Sequence, residues 1–183
     1  MLRPADIPNL ISVLRMLLVV PIVGALLADR IGLALVLVAA AGASDGLDGL
    51  LARYCGWQSR LGGLLDPLAD KLLLVSLFVT LAVLALLPAW LAAVVVGRDL
   101  VIVSGGVAYN SLIGPLQPEP SGASKLNTLA QLACIATVLL AHATGWALAP
   151  WVTVAGAAVL VTSVVSGLDY VIRWSRKALA ARA

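Results

Sequence analysis

The stretch 45–70 holds four of the nine acidic residues in this chain of 183 residues. These are Asp45, Asp48, Asp66 and Asp70. Carboxylate oxygens are hard ligands of the kind that Mg²⁺ and Mn²⁺ prefer. Two such ions held close together can clamp the attacking and leaving oxygens of a phosphoryl-transfer reaction. The residue types therefore predict a site for two divalent ions, either Mg²⁺ or Mn²⁺.

The spacing of these aspartates predicts that they lie on two helices. On each helix they share one face with small residues, at intervals of three, four, seven or eight positions. The two faces consist of Asp45, Asp48, Gly49 and Ala52 and of Gly62, Asp66 and Asp70. An ionised carboxylate at the centre of a membrane helix costs about 2.5–3.5 kcal/mol, so four would cost roughly 10 kcal/mol. Two divalent cations would cancel the four charges.

The composition predicts that these helices lie in a membrane. The chain is 62% hydrophobic and 11% charged, with a mean hydropathy of +1.06, which is outside the range of soluble domains. Charges, glycines and prolines divide it into six apolar segments, each about long enough to span a bilayer. The segments are 8–28, 32–53, 62–86, 89–110, 124–142 and 148–172. We therefore expect an all-α, polytopic integral membrane protein with six transmembrane helices, forming a single domain over residues 1–183.

The distribution of positive charge predicts the orientation. The net charge of +3 is not accompanied by a basic stripe interleaved with aromatic residues, so nucleic-acid binding is not expected. The positive-inside rule places both termini and the connections 54–61 and 111–123 in the cytoplasm. The cations on that side are Arg3, Arg53, Arg60, Lys125, Arg173, Arg176, Lys177 and Arg182. The protein would then lie in the cell's inner or plasma membrane, and its active site would open towards the cytoplasm.

The aspartates belong to the pattern D-x2-D-G-x2-A-R-x8-G-x3-D-x3-D, which this sequence meets at every fixed position from Asp45 to Asp70. With this motif and its six-helix length, the chain resembles the CDP-alcohol phosphatidyltransferase family. The resemblance implies transfer of a phosphatidyl group from CDP-diacylglycerol to an alcohol, with CMP as the leaving group. It also implies a homodimer, which is usual in that family.

The resemblance assigns roles to the motif residues. It implies that Asp45, Asp48 and Asp66 are the principal metal ligands, and that Asp70 both contacts metal and accepts the proton of the acceptor hydroxyl. The residues implied in CDP binding are Asp45, Gly49, Ala52, Arg53 and Gly62. Among these, the small residues would keep the helix surface flat enough for a nucleotide to approach, while Arg53 could pair with the diphosphate.

Arg98 and Lys125 are the candidates for binding the acceptor. Because adjacent helical residues point about 100° apart, Arg98 and Asp99 are not expected to satisfy only each other, and Arg98 could face a phosphate. Lys125 could equally be an interfacial anchor.

The number of cations bears on which acceptor is bound. Two cations are few for the glycerol 3-phosphate dianion, whereas phosphatidylglycerol has one charge and is held largely by its chains. In the second half of the chain, the stretches GRDLVIVSGG (97–106) and PSGASKLNTLAQL (120–132) also resemble cardiolipin synthases of eukaryotic type. We expect phosphatidylglycerol as acceptor, with glycerol 3-phosphate as the alternative.

A different class of protein also uses aspartates inside the membrane. Ion-coupled transporters and proton relays place carboxylates in their spans, so an ion-coupled transporter is the alternative to an enzyme. Release of CMP from CDP-diacylglycerol distinguishes the two classes, because a transporter would not catalyse it.

The remaining polar and small residues of the spans admit structural interpretations. Arg15 could face the site, or it could pair with an acidic group elsewhere in the bundle. Asp169 precedes Arg173 by four positions, which predicts a pair within one helix. Gly105 and Gly106 are expected to form a helix-packing surface.

Overall fold

The computed structural model describes residues 7–55, 62–112 and 121–180, and these residues form six α-helices. The helices are α1 (Ile7–Leu27), α2 (Ile31–Cys55), α3 (Gly62–Val83), α4 (Ala89–Leu112), α5 (Gly122–Thr144) and α6 (Ala149–Ala180). Side chains are described for residues 10–44, 67–111, 121–177 and 179. Each predicted apolar segment corresponds to one helix. The largest difference is at the end of α6, which continues to Ala180 although the apolar segment ends at 172.

Four helices in the described part of the chain are long and apolar enough to cross a membrane. Their apolar stretches are Leu10–Leu27, Ala89–Ser111, Gly122–Thr144 and Ala149–Lys177. The prediction of an all-helical protein is confirmed for these residues, whereas six spanning helices remain a prediction. The described part of α2 contains a shorter apolar stretch, Ile31–Ser44. Large apolar side chains such as Leu17 and Val20 are exposed, as expected of surfaces that face lipid.

The first of two compact units comprises Met1–Leu86 and Leu139–Trp146. Within it, α1 packs against both α2 and α3. Helix α3 contributes core side chains at the spacing of one helical face, and α1 contributes two fully buried apolar residues. These core residues are Leu74, Leu77, Phe78 and Leu81 from α3 and Ile22 and Leu26 from α1. Helix α1 is therefore the common neighbour of the two helices that contain the aspartate motif.

The second unit comprises Leu87–Val138 and Ala147–Ala183, and within it α4 packs against α6. The indole of Trp174 on α6 lies directly against Gly105 and Gly106 on α4. The ring of Tyr170 meets this indole edge to face, with ring centroids 5.3 Å apart. The predicted packing role of the two glycines is thus confirmed, since their missing side chains make the space that Trp174 fills.

Two helices end in a left-handed residue that is not glycine. After α1, Asp29 has φ 57°, and the N–H of Arg30 donates to the carbonyl of Ala25 at 2.8 Å. After α3, Ala85 has φ 54°, and the N–H of Leu86 donates to the carbonyl of Leu81 at 2.9 Å. This hydrogen bond closes a Schellman motif, whose left-handed position favours glycine. Ala85 therefore occupies a conformation that an alanine rarely adopts.

Candidate active site

The aspartate motif lies on two consecutive helices of the first unit, towards the end of α2 and the start of α3. The part on α2 comprises Asp45, Asp48, Gly49, Ala52 and Arg53, and the part on α3 comprises Gly62, Asp66 and Asp70. The structure describes the side chain of Asp70, whereas the side chains of the other seven lie outside the described ones. Their predicted contacts with metal and CDP consequently remain predictions.

Asp70 forms an ion pair with Arg15 of α1. The Nη1 atom of Arg15 donates to Oδ1 of Asp70, and the two residues belong to different helices of the same unit. The Arg15 side chain is 1% exposed and the Asp70 side chain 38%. Of the two interpretations left open by the sequence, this contact supports the first, that Arg15 faces the predicted site, because its partner Asp70 is a motif residue and not an acidic group elsewhere in the bundle.

The fit of a metal ion is shown by Asp70, the motif aspartate whose side chain is described. Among the described side chains, no three His, Cys, Asp or Glu residues lie together, and the carboxylates of Asp45, Asp48 and Asp66 are not described. The exposed part of Asp70 leaves its carboxylate within reach of a ligand. Its oxygen donors fit a hard cation such as Mg²⁺ or Mn²⁺. Asp70 is therefore compatible with the metal role that the resemblance implies.

Arg98 is the centre of a polar cluster in the second unit, to which α4, α5 and α6 all contribute. Its guanidinium donates to Asp99 at 2.6 Å, to the Ser124 hydroxyl at 2.8 Å and to the Ser166 hydroxyl at 2.5 Å. It also lies over the ring of Tyr170, with 5.9 Å between its Cζ atom and the ring centroid. The prediction that Arg98 and Asp99 would not satisfy only each other is confirmed, because two hydroxyls share the guanidinium.

Sequence reasoning missed the partners of Arg98. A signal for them exists, because polar residues recur at i, i+3 and i+7 in otherwise apolar helices. These residues are Ser124, Asn127 and Gln131 on α5 and Ser163, Ser166 and Tyr170 on α6. Such a spacing puts each set on one helical face, where apolar surroundings favour mutual hydrogen bonds. Arg98 accordingly donates to one serine of each set, Ser124 on α5 and Ser166 on α6.

Asn127 and Lys125 lie near the start of α5 in different surroundings. Asn127 is 1% exposed, and its Oδ1 accepts hydrogen bonds from Thr162 at 3.0 Å and Ser163 at 2.9 Å. Lys125 is exposed. The predicted acceptor role of Lys125 remains a prediction, as does that of Arg98, whereas Asn127 has a defined structural role in joining α5 to α6.

The predicted pair on α6 is observed. The Nε atom of Arg173 donates to Oδ1 of Asp169 at 2.7 Å, across one helical turn. The Arg173 side chain is 61% exposed, so this pair contributes little to stability.

Curated proteins with similar sequences include several enzymes of phospholipid synthesis. A probable cardiolipin synthase (CMP-forming) of Drosophila melanogaster is 39% identical over 145 residues, covering 70% of this chain and 45% of that protein. The human cardiolipin synthase (CMP-forming) is 35% identical over 156 residues, covering 76% of this chain and 52% of that protein. The chain thus spans about half the length of these two relatives.

A bacterial relative is covered more completely. The probable phosphatidylglycerophosphate synthase of Mycobacterium tuberculosis is 33% identical over 178 residues, covering 93% of this chain and 82% of that protein. The family described as CDP-alcohol phosphatidyltransferase matches residues 5–172, which include the whole aspartate motif and all or part of each of the six helices. This chain belongs to the CDP-alcohol phosphatidyltransferase family.

Proposed function

We propose that this protein is a metal-dependent enzyme of phospholipid synthesis that transfers the phosphatidyl group of CDP-diacylglycerol to phosphatidylglycerol, giving cardiolipin and CMP. The observation that carries the proposal is the complete aspartate motif within a family match over residues 5–172. Relatives named cardiolipin synthase (CMP-forming) support the same reaction. Family membership also favours an enzyme over the ion-coupled transporter considered from the sequence.

The proposed chemistry uses the motif residues in distinct roles. Asp45, Asp48, Asp66 and Asp70 would hold two divalent ions, Mg²⁺ or Mn²⁺, which when bound would offset the negative charge of the carboxylates and of the donor diphosphate. Asp70 would also take the proton of the acceptor hydroxyl. The hydroxyl oxygen then bonds to the phosphorus next to diacylglycerol. The bond from that phosphorus to the bridging oxygen breaks, and CMP leaves with the electron pair.

Other residues of the motif would bind the donor. In addition to Asp45, we propose that Gly49, Ala52 and Gly62 let the CDP group approach the helices closely, and that Arg53 pairs with its diphosphate. The motif is complete, so each of these positions has the residue type that the proposed CDP binding requires.

Electrostatics in the second unit support phosphatidylglycerol as the acceptor. We propose that Arg98 and Lys125 bind its headgroup. The charge of Arg98 is already offset by Asp99, 2.6 Å away. A partly compensated arginine with an exposed lysine suits a single phosphodiester charge better than a dianion, which needs several cations to leave water.

Glycerol 3-phosphate is the alternative acceptor. The observation that favours it is the relative named probable phosphatidylglycerophosphate synthase, which is similar over 82% of its length. The reactions with the two acceptors use the same donor, the same leaving group and the same aspartate motif, so only their lipid products distinguish them.

The experiment that tests the proposal supplies purified protein with CDP-diacylglycerol and each acceptor separately. We expect CMP release that requires Mg²⁺ or Mn²⁺, stops with EDTA and yields cardiolipin from phosphatidylglycerol, identified by mass spectrometry. Incorporation of labelled glycerol 3-phosphate into lipid, without cardiolipin from phosphatidylglycerol, would replace the acceptor. No CMP release with either acceptor would contradict the enzyme.

A matched pair of variants tests the acceptor residue. Arg98→Gln should raise the KM for phosphatidylglycerol by roughly tenfold or more and leave the KM for CDP-diacylglycerol unchanged, since hydrogen bonds to a charged partner are worth about 1.5–3 kcal/mol. Arg173→Gln is the control, because Arg173 also pairs with an aspartate but is exposed. Equal effects of the two variants on the acceptor KM would remove Arg98 from the site.

The membrane arrangement is part of the proposal. We propose six transmembrane helices in one domain over residues 1–183, with both termini and the active site on the cytoplasmic side of the cell's inner or plasma membrane. The four apolar stretches support a membrane location. The homodimer implied by the family resemblance is likewise proposed, and light scattering of the purified protein, corrected for detergent, would measure it.

A further inference from the structure

The pair between Arg15 and Asp70 is more than charge compensation if Asp70 accepts the acceptor proton. Arg15 lies within the apolar stretch Leu10–Leu27, whose mean hydropathy is 2.5, and is 1% exposed. A buried cation in such a helix is costly, and an apolar residue would fill the position without that cost. A partner that offsets this cost is a motif aspartate on another helix, Asp70. Burial and pairing together therefore connect Arg15 to the reaction centre.

The contact constrains one oxygen of the Asp70 carboxylate. The terminal torsion of an aspartate is broad, so an untethered carboxylate samples many orientations. A guanidinium donates in a rigid, planar geometry, and its charged hydrogen bonds are about twice as strong as neutral ones. The described bond goes to Oδ1. Because 38% of the Asp70 side chain remains exposed, the tethered carboxylate is still accessible to a substrate.

We propose that Arg15 is a positioning residue for Asp70: by binding one carboxylate oxygen, it keeps the carboxylate in the orientation in which Asp70 takes the acceptor proton. This inference rests on the proposed transferase function. It assigns a part in catalysis to α1, the helix that packs against both α2 and α3. Loss of the tether should slow the chemical step and leave substrate binding intact, because Arg15 acts through Asp70 and not on the substrates.

A series of substitutions at Arg15 separates the properties of its side chain. Arg15→Met removes both charge and donors, Arg15→Gln keeps a donor without charge, and Arg15→Lys keeps charge and a donor without the planar geometry. We expect kcat to fall about 100-fold in Arg15→Met, the order that a small misplacement of a reacting group can cost. Arg15→Lys and Arg15→Gln should each recover part of this loss, while both KM values stay within about threefold.

If the role of Arg15 were purely structural, its substitution would lower the melting temperature without changing kcat per folded molecule. The control is Val19→Ala, one turn further along α1 at a position that is 8% exposed. It should lower the melting temperature without changing kcat per folded molecule. If Arg15→Met does not fold, Arg15→Lys and Arg15→Gln still provide the comparison of kcat with KM.

The outcomes distinguish this inference from the function on which it rests. A wild-type protein that releases no CMP would overturn both. An active wild type whose kcat is unchanged in the folded Arg15 variants would overturn the positioning role alone. A rise in either KM with kcat unchanged would also overturn it, since Arg15 would then bind substrate directly.

Discussion

A Cβ atom at Gly106 would lie 2.9 Å from Cη2 of the Trp174 indole, so α4 and α6 approach each other at a position where a side chain has no room. Gly106→Ala should therefore force the indole aside. We expect a destabilisation of about 1–3 kcal/mol, the usual cost of overpacking a well-packed contact. Thermal unfolding of the purified protein in detergent would measure it as a lower melting temperature.

Gly97 provides the control for this prediction on the same helix. Nothing lies within 4 Å of a Cβ at that position. Gly97→Ala should leave the melting temperature unchanged or raise it, because alanine favours a helix by roughly 0.5–1 kcal/mol over glycine. Equal melting temperatures for Gly106→Ala and Gly97→Ala would mean that Trp174 does not occupy the described position.

The three aspartates proposed as principal metal ligands give the second prediction. Asp45→Ala, Asp48→Ala or Asp66→Ala should abolish phosphatidyl transfer, because each removes one of few anionic ligands and leaves the cations undercompensated. The assay is CMP release at saturating substrates. Asp29→Asn is the control, since Asp29 is an exposed acidic residue outside the motif and asparagine tolerates its φ of 57°. Near-normal activity of any motif variant at ordinary magnesium would refute the assignment.

Asp70→Asn tests a role different from that of the other three. The amide keeps the shape of the side chain and a weak oxygen ligand, but it cannot take a proton. We expect the rate to fall sharply and to stay low when the metal concentration is raised. Full recovery at high Mg²⁺ would instead identify Asp70 as a ligand and not as the base.

The turn after α3 gives a prediction about stability. Ala85 has φ 54°, and glycine adopts this conformation without steric cost. Ala85→Gly should therefore raise the free energy of unfolding by about 1 kcal/mol, the lower part of the usual cost of a left-handed residue. Ala93→Gly is the matched control, because Ala93 is exposed inside α4 and the same replacement there should destabilise by about 0.5–1 kcal/mol. The two melting temperatures should move in opposite directions.

The helices were predictable because their signal is local. Apolar runs interrupted by charge, glycine or proline predicted all six, and the first break coincides with the turn at Asp29. Helix α3 ends at Val83, before the predicted segment 62–86 does, because the left-handed turn at Ala85 lies inside an apolar run. Helix α6 ends later than predicted because its amphipathic continuation, which includes Trp174, remains helical after the apolar run has ended. Hydropathy alone gives no weight to a helix whose polar side points away from lipid.

The partners of individual side chains were harder to predict. The motif identified Asp70 from its spacing, but nothing local connects it to Arg15, which precedes it by 55 positions. The same holds for Arg98 and Ser166, which are 68 positions apart. Spacing specifies which residues share a face of one helix. Which helix faces it depends on tertiary packing, and that cannot be read from the period of a sequence.

The orientation in the membrane gives the last prediction, which places residues 111–123 in the cytoplasm. Ser121 is a poor position for a reporter, because it is 6% exposed and its Oγ caps α5 by accepting the N–H of Ser124 at 3.2 Å. Gly122 is exposed and has nothing within 4 Å of a Cβ. Gly122→Cys should therefore react with an impermeant thiol reagent only after the cells are opened. The matched control is Ala147→Cys, also exposed, in the connection between α5 and α6. It should react in intact cells, because one spanning helix separates the two positions. Labelling of Gly122→Cys in intact cells, with Ala147→Cys protected, would invert the topology and place the aspartate site on the opposite side of the membrane.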